Sequence, residues 1–141
     1  MKIERALEKD VSGLCDVFNK SRNSNSSFPK HKYALDDFTA EIEGEEVLCC
    51  RINGELIGFS SVWVEDTFLH HLYVLPQYQN RGIGKALIHE CINRFGLPMS
   101  LKCLKSNTKS CCFYEGLGWR PNNEALGPEG PYILYVRDKN T

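Results

Sequence analysis

Apolar residues recur along the chain in short runs, some with the spacing of strands and others with that of helices. Alternating or continuous apolar runs predict strands, and apolar residues three to four apart predict helices. These patterns predict strands at 2–6, 47–52, 56–64, 68–74, 99–103 and 132–136, and helices at 11–18, 35–44, 82–95 and from 107 to 116 or 118. Runs of strands with a few interspersed helices indicate an α/β (α+β) fold on a mixed sheet.

Turn residues fix some of the connections between these elements. Asn53-Gly54 separates the second and third strands and is a strong hairpin signal, because both turn positions need positive φ. The helix at 82–95 carries one apolar stripe and is followed by Gly96 and Pro98, which stop it. The segment 21–32 is rich in Ser and Asn and is predicted to be a mobile loop.

The size and charge of the chain narrow the function classes. Its 141 residues fit a single domain spanning 1–141. Lys plus Arg number 17 and Asp plus Glu number 18, so the formal net charge is 17 − 18 = −1, without the basic excess of a nucleic-acid-binding protein. No stretch is long and apolar enough to span a bilayer, and residues 1–10 lack the apolar core of a secretory signal. We therefore expect a cytoplasmic protein without nucleic-acid or membrane partners.

Seven cysteines are many for this length. Their number is odd and two pairs are adjacent, Cys49-Cys50 and Cys111-Cys112. Neighbouring strand residues point to opposite faces, which does not suit a disulfide framework. No Cys-x-x-Cys spacing occurs, so no metal site is predicted. We expect reduced and mostly buried thiols.

The polar turn between the strand at 68–74 and the helix at 82–95 carries the most specific chemistry. Residues 72–87 read LYVLPQYQNRGIGKAL, and a helix N-terminus of this kind suits an anion. A P-loop would need Ser or Thr where Ala86 stands, and a dinucleotide fingerprint would need a third glycine where Leu87 stands. The pattern that remains is Gln/Arg-x-x-Gly-x-Gly/Ala, which Gln79, Gly82 and Gly84 meet.

This turn and its flanks resemble the GNAT superfamily of N-acetyltransferases. Leu-Tyr-Val-x-Pro before the turn is similar to the family's fourth strand. The following strand, Asn107 and the run FYEGLGW at 113–119 are similar to the family's next strand and helix. The resemblance implies a GNAT fold, with a mixed central sheet of six to seven strands, about four flanking helices, and fourth and fifth strands that splay apart.

The resemblance also implies acetyl-CoA as the cosubstrate and no metal. In the family the pantetheine arm pairs with the fourth strand, which assigns backbone hydrogen bonds to Leu72, Tyr73 and Val74. The pyrophosphate is expected on the backbone N–H groups of Gln79, Asn80, Arg81, Gly82, Ile83, Gly84 and Lys85. Asn107 matches a position that commonly touches the cofactor, and a simple helix cap is the equal alternative.

The family chemistry is direct attack of a primary amine on the thioester in a ternary complex. Tyr114 occupies the position of the usual general acid, and a core aromatic with a satisfied hydroxyl is the alternative. Backbone N–H groups of Leu72 or Val74 are expected to stabilise the developing oxyanion. Two other functions stay open: a non-catalytic acetyl-CoA-binding regulatory module, and an acyl carrier that uses Cys111 or Cys112.

The general base departs from the family's glutamate pattern. The period of two predicts one carboxylate-free strand face made of Phe68, His70, Leu72 and Val74. His70 is therefore the candidate base, and a buried structural histidine is the alternative. His71 is expected on the opposite face, and Glu65, Asp66 or a water relay are the remaining candidates for the base.

The acceptor is expected to be an amine that the sequence does not identify. Its pocket is predicted between the 21–32 loop, the second helix and the segment 127–131. Family habit and a solvent-facing last strand leave a homodimer open.

Overall fold

The computed structural model describes residues 1–139, which form a seven-stranded sheet flanked by helices. The helices are α1 (Val11–Asn23), α2 (Leu35–Glu41), α3 (Ile83–Phe95) and α4 (Thr108–Gly116). The strands are β1 (Lys2–Arg5), β2 (Glu46–Ile52), β3 (Glu55–Trp63), β4 (Phe68–Val74), β5 (Met99–Leu104), β6 (Arg120–Gly127) and β7 (Gly130–Arg137). The mixed sheet and its helices confirm the predicted fold class.

The strand order is β1-β2-β3-β4-β5-β7-β6. The β4–β5 pair is parallel, and the other neighbouring pairs are antiparallel. At the β2–β3 turn, Asn53 and Gly54 have φ of 52° and 81°, as the hairpin signal requires.

The β4 and β5 strands separate soon after they meet. They pair only at Phe68–Ser100 and Leu69–Leu101, although β4 continues to Val74 and β5 to Leu104. Beyond Leu69, the side of β4 that faces β5 has no partner strand, which confirms the predicted splay. Unpaired strand backbone of this kind can accept an extended ligand as an added strand.

Helices cover both faces of the sheet. Phe18 of α1 and Phe38 of α2 pack on Phe59 and Tyr73, with ring centroids 5.2 to 5.8 Å apart in the Phe18–Phe38, Phe18–Tyr73 and Phe38–Phe59 pairs. On the other face, Ser60 Oγ lies 3.1 Å from the sulfur of Cys91 in α3. Each face therefore buries its own apolar layer, which is the usual means of stabilising such a sheet.

One strand of the sheet is not predicted by the pattern of apolar residues. Strand β6 reads RPNNEALG, and every residue before Gly127 is exposed. It pairs only with β7, so β6 forms the sheet edge and the last strand lies inside the sheet. A solvated edge strand needs no apolar alternation, which explains why it was not predicted. At the other boundary, α1 extends to Asn23, into the segment predicted as a loop.

All seven cysteines are free, and Cys112 is the exposed one. Six buried thiols agree with the expectation of small apolar core groups. Within residues 1–139, the helices are too short or too polar to cross a membrane.

Candidate active site

A cleft of about 740 Å³ opens where β4 and β5 separate. It is lined from α1, β4, the turn before α3, the start of α4 and the β6–β7 turn. The predicted site residues that line it are His70, Leu72, Tyr73, Val74, Gln79, Asn80, Gly82, Ile83, Gly84, Lys85, Asn107 and Tyr114. Arg81 is not part of the lining, because its guanidinium lies over the Tyr78 ring, 5.2 Å from the centroid.

The turn before α3 exposes a row of backbone donors. The first hydrogen bond of the helix runs from Ala86 N to Gly82 O over 3.0 Å. Between residues 1 and 139, no acceptor is bonded to the backbone N–H groups of residues 80 to 85. The N–H of Gln79, by contrast, donates to Pro76 O at 3.3 Å, so the phosphate contact predicted for this amide requires that hydrogen bond to be shared or broken. Six adjacent free amides at a helix N-terminus form an anion-binding surface.

Left-handed backbone conformations shape this row of donors. Asn80 has φ of 64° and Gly82 has φ of 81°, the region where glycine is most at ease. A Cβ atom at Gly82 would meet nothing within 4 Å, so this position faces open space. The Gln79 side chain donates from Nε2 to Val74 O at 3.0 Å and ties the turn to the end of β4. The strand edge and the free amides therefore form one continuous surface.

Helix α4 brings Tyr114 and Asn107 to the cleft. Tyr114 is half-buried, and its ring lies 5.3 Å from that of Phe113 and 6.0 Å from that of Trp119. Its hydroxyl makes no hydrogen bond to any residue between 1 and 139. Burial raises the pKa of Tyr114 well above its ordinary range, so the phenol keeps its proton at neutral pH. A protonated hydroxyl without a partner is available to donate into the cleft.

Asn107 acts as the helix cap in this structure. Its Oδ1 accepts a hydrogen bond from Ser110 N at 3.4 Å at the start of α4. Its side chain also lines the cleft, so both interpretations of this residue stay compatible with its position.

A bulge in β4 corrects the predicted strand face. Ser61 pairs with His71 but Val62 pairs with Leu69, so His70 is one extra residue in the strand. The His70 and His71 rings lie 3.8 Å apart, and His71 packs on Phe18 of α1. Leu72 instead approaches Gly84 of α3, on the opposite side of the sheet. The predictions that His70 shares a face with Leu72 and Val74, and that His71 points away from His70, are therefore wrong.

Two carboxylates from the end of α2 and the turn after it face this histidine pair. Glu45 Oε2 lies 2.5 Å from His70 Nδ1, and Glu41 Oε2 lies 3.6 Å from His71 Nε2. Burial opposes ionisation of Glu45, but the His70 and His71 imidazoles outweigh it and lower the pKa of its carboxyl from 4.5 to about 2. His71 lowers the pKa of Glu41 as well. Burial likewise opposes protonation of His71, yet Glu41 and Glu45 raise the pKa of this imidazole. The cluster therefore holds ionised carboxylates against imidazoles.

Neither glutamate was predicted, and the other candidate bases lie elsewhere. Glu65 and Asp66 are exposed in the short turn after β3 and do not line the cleft. Glu41 and Glu45 belong to an acid-rich stretch, and nothing in the spacing of that stretch indicates which carboxylates turn inward.

An arginine that pairs with a glutamate shapes the acceptor side of the cleft. Arg22 of α1 donates to the Tyr73 hydroxyl at 2.9 Å and pairs with Glu129 of the β6–β7 turn. Its guanidinium also lies over the Phe28 ring, 4.1 Å from the centroid. These contacts bring together the two segments, 21–32 and 127–131, that were predicted to form the acceptor pocket.

The thiols considered as acyl carriers do not face the cleft. Cys111 is buried, with its sulfur 3.8 Å from that of Cys103, and Cys112 is exposed. Neither lines the cleft. Cys103 does line it, but burial raises the pKa of this thiol far above its ordinary value. An acyl-cysteine route therefore has no nucleophile placed for it at Cys111 or Cys112.

The histidine–carboxylate cluster contains groups that bind transition metals in other proteins. Ligand atoms of Glu41, His70 and His71 lie within 4.8 Å of one another. The expectation of no metal rested on cysteine spacing and on the family resemblance, and neither addresses these three side chains. Assays of this site therefore need a chelator control.

Comparison with known sequences places the chain in a family. The model of the acetyltransferase (GNAT) family matches residues 13–119. An aminoglycoside N(6')-acetyltransferase type 1 from Stenotrophomonas maltophilia is 37% identical over 38% of this chain and 42% of its own length. A glucosamine 6-phosphate N-acetyltransferase from Trypanosoma brucei brucei is 29% identical over 57% of this chain and 62% of its own length. The chain thus spans less than two thirds of either relative.

Solved structures share the fold over nearly all of the chain. A ribosomal-protein-alanine N-acetyltransferase from Brucella melitensis superimposes with a TM-score of 0.77 at 17% identity, covering 98% of this chain and 99% of that one. The PaiA N-acetyltransferase of Thermoplasma acidophilum, solved in complex with coenzyme A, gives a TM-score of 0.79 at 20% identity, with 98% and 99% covered. With the family model spanning most of its length, the chain belongs to the acetyltransferase (GNAT) family.

Proposed function

We propose that this protein transfers an acetyl group from acetyl-CoA to a primary amine by direct attack in a ternary complex. The observation that carries the proposal is the row of free backbone N–H groups at residues 80–85, continuous with the unpaired edge of β4. A diphosphate and an extended amide-containing arm are the ligand chemistry that such a surface fits.

The cofactor is placed by backbone groups. The diphosphate lies on the amides of residues 80–85, and Lys85 of the cleft lining adds a positive charge beside it. The pantetheine arm pairs with Leu72, Tyr73 and Val74, where β4 has lost its neighbour. Asn107 lies at the α4 end of the same cleft. The coenzyme A complex of the Thermoplasma neighbour supports this class of ligand for the fold.

The reaction needs one proton removed and one proton supplied. His70 takes a proton from the incoming ammonium, the resulting amine attacks the thioester carbon to form a tetrahedral intermediate, and the C–S bond breaks as this intermediate collapses. Backbone N–H groups of Leu72 or Val74 stabilise the oxyanion. Tyr114 gives its hydroxyl proton to the leaving sulfur and regains one from the nitrogen of the new amide. His70 then releases its proton to water, so the products are the amide, CoA and one proton.

The acceptor arrives as a cation at neutral pH and meets negative charge on its side of the cleft. Glu41 and Glu129 line this side, and the pKa of Glu41 is lowered, so its carboxylate is ionised. An ammonium group gains Coulomb energy beside such a carboxylate. The named substrates of the two sequence relatives, an aminoglycoside and glucosamine 6-phosphate, are both amines. A small amine is therefore the acceptor class that we propose.

The seven cysteines bear on the cellular location of the protein. Seven free thiols suit a reducing compartment, so we place the protein in the cytoplasm. A homodimer is one alternative for its assembly, and light scattering after size-exclusion chromatography measures that state directly.

Two separate glycines with the same backbone conformation provide a matched test of the proposal. Gly82 and Gly54 both have φ of 81°, and a Cβ at either meets nothing within 4 Å, but only Gly82 lies at the cleft. Gly82→Ala should weaken CoA binding at least tenfold in calorimetry, because the methyl group and the strained backbone disturb the amide row. Gly54→Ala introduces the same backbone strain and should leave CoA affinity unchanged.

Thiol release from acetyl-CoA then measures the transfer itself, against panels of small amines, polyamines, aminoglycosides and peptide N-termini. Release that depends on an amine supports acetyl transfer. Tight CoA binding without release across these panels would favour the non-catalytic regulatory module instead. Absence of any CoA affinity would overturn both functions.

A further inference from the structure

One buried carboxylate beside the cleft has no role in the chemistry described above. The Glu45 side chain is 6% exposed, and its Oε2 lies 2.5 Å from His70 Nδ1. Its Oε1 makes no hydrogen bond within residues 1–139 and lies 3.6 Å from His71 Nδ1, so the short contact of this carboxylate is the one with His70. Burying a charge is costly unless a partner compensates it, so the position of Glu45 points to its partner.

We propose that Glu45 is a positioning residue for proton transfer: it accepts the Nδ1–H of His70 and thereby leaves Nε2 of that imidazole free to take a proton from the acceptor amine. This inference rests on the proposed acetyl transfer. We call the pair the Glu45–His70 dyad.

The direction of the hydrogen bond follows from charge. A carboxylate that is ionised accepts only, so the imidazole must be the donor in this contact. A neutral imidazole carries one proton, and a proton at Nδ1 leaves a lone pair at Nε2. His70 Nε2 lies 3.9 Å from Glu41 Oε2, beyond hydrogen-bonding distance, and His70 lines the cleft with 36% of its side chain exposed. Nε2 is therefore the unengaged nitrogen of this side chain.

His71 is less accessible from the cleft than its neighbour. Its side chain is 5% exposed, and Nδ1 lies 2.8 Å from Ser61 Oγ. Its Nε2 lies 3.6 Å from Glu41 Oε2, so the nearly buried ring has a hydrogen-bonding partner at one nitrogen and a carboxylate beside the other. This arrangement leaves His70 as the histidine with a nitrogen open to the cleft.

The backbone places Glu45 where His70 needs it. Gly44 has φ of 78°, and a Cβ there would lie 2.9 Å from the Trp63 ring. Only glycine fits this turn without displacing the indole, and the turn reverses the chain so that Glu45 faces the β4 bulge. Because the bulge inserts His70, both halves of the dyad depend on local irregularities of the backbone.

The dyad acts on one step, the transfer of a proton from the substrate ammonium to His70. The N–H bond of the substrate ammonium breaks, a new bond forms at His70 Nε2, and the positive charge moves to the imidazolium. Glu45 then stabilises that charge, as a buried carboxylate does beside a catalytic imidazole. Glu41 and His71 also face His70, and Arg22 acts on Glu41 through space, so these groups share in any pH dependence.

Kinetics of Glu45→Gln test the role. The amide keeps the shape of the side chain but removes its charge, so kcat should fall about 10- to 100-fold while the KM for the amine changes less than about threefold. Glu46→Gln is the matched control, since the adjacent Glu46 forms an exposed pair with Arg5 and should leave kcat unchanged. Wild-type kcat in Glu45→Gln would overturn the proposal.

Imidazole nitrogen NMR of the free protein supplies a readout that does not depend on activity. At a pH where His70 is neutral, with EDTA present, the wild type should show the Nδ1–H tautomer, and Glu45→Met should shift His70 toward the Nε2–H tautomer. An Nε2–H tautomer in the wild type would overturn the dyad. If that tautomer is as expected but the wild type transfers no acetyl group to any amine, the proposed function falls while the hydrogen bond stands, so the two failures are distinguishable.

Discussion

The two sides of the cleft are built in different ways. On the cofactor side, backbone amides of residues 80–85 and the edge of β4 do the binding, all from one continuous stretch of chain. On the acceptor side, side chains from α1, the end of α2, the β4 bulge and the β6–β7 turn converge. Backbone recognition tolerates substitutions that preserve conformation, whereas side-chain recognition depends on each residue. The cofactor side is thus suited to a common ligand and the acceptor side to a specific one.

The largest expected effect lies at the boundary between the two sides. Tyr114→Phe removes the proton donor for the leaving sulfur, so kcat should fall about 100- to 1000-fold. CoA affinity in calorimetry should stay within about twofold, because the ring remains in place.

Tyr135→Phe is the matched control for that variant. Its ring lies 6.1 Å from that of Tyr114, and its hydroxyl donates to Glu115 at 2.6 Å. Losing this bond should lower stability by about 1 kcal/mol and leave kcat unchanged. Equal turnover in Tyr114→Phe and wild type would remove Tyr114 from the chemistry.

The next effect is confined to the acceptor side. His70→Gln should lower kcat about 100-fold near neutral pH and flatten the rise of rate with pH, because a histidine that accepts a proton must first lose its own. His89→Gln, on the exposed face of α3, should change neither. A variant profile that still rises like that of the wild type would assign the base to another group.

The pH dependence of the free energy of unfolding tests how the Glu45 side chain stabilises the acceptor side of the cleft. The folded-state pKa of Glu45 is about 2 against an ordinary 4.5, so its stabilising contribution is complete above about pH 5 and is lost as pH falls toward 2. At about 1.4 kcal/mol per pKa unit, this is on the order of 3 kcal/mol. Urea unfolding should therefore show Glu45→Gln less stable than wild type at pH 7, with the difference closing between pH 5 and pH 2. A difference that is independent of pH would contradict this origin.

The smallest effect is expected at Gly84, which contributes only backbone to the cofactor side. A Cβ at Gly84 would lie 3.4 Å from the Phe113 ring, an ordinary contact, and the position is helical. Gly84→Ala should raise stability by up to about 1 kcal/mol through helix propensity and leave CoA affinity within about twofold. A tenfold loss of affinity would show that this glycine, like Gly82, is needed for ligand approach.

The same contrast explains what the sequence predicts and what it does not. The turn at 79–85 and the strand before it are contiguous, so a local motif indicates them, as Asn53-Gly54 indicates its hairpin. The histidine cluster depends on a bulge that breaks the period of two and on Glu45 placed by a left-handed Gly44. Strand β6 is exposed and lacks apolar alternation, since Ala125 and Leu126 are adjacent, so it leaves no periodic signal. Features that depend on distant packing or on a local irregularity of the backbone therefore cannot be predicted from the periodicity of apolar residues.

The central claim concerns the amides of the turn before α3, and titration of ¹⁵N-labelled protein with CoA observes them directly. We expect the largest amide chemical-shift changes at residues 80–85 and at Leu72 to Val74, with slowed hydrogen exchange at the same positions. Saturating CoA that leaves the amides of 80–85 unshifted, or that perturbs a different surface, would contradict this claim.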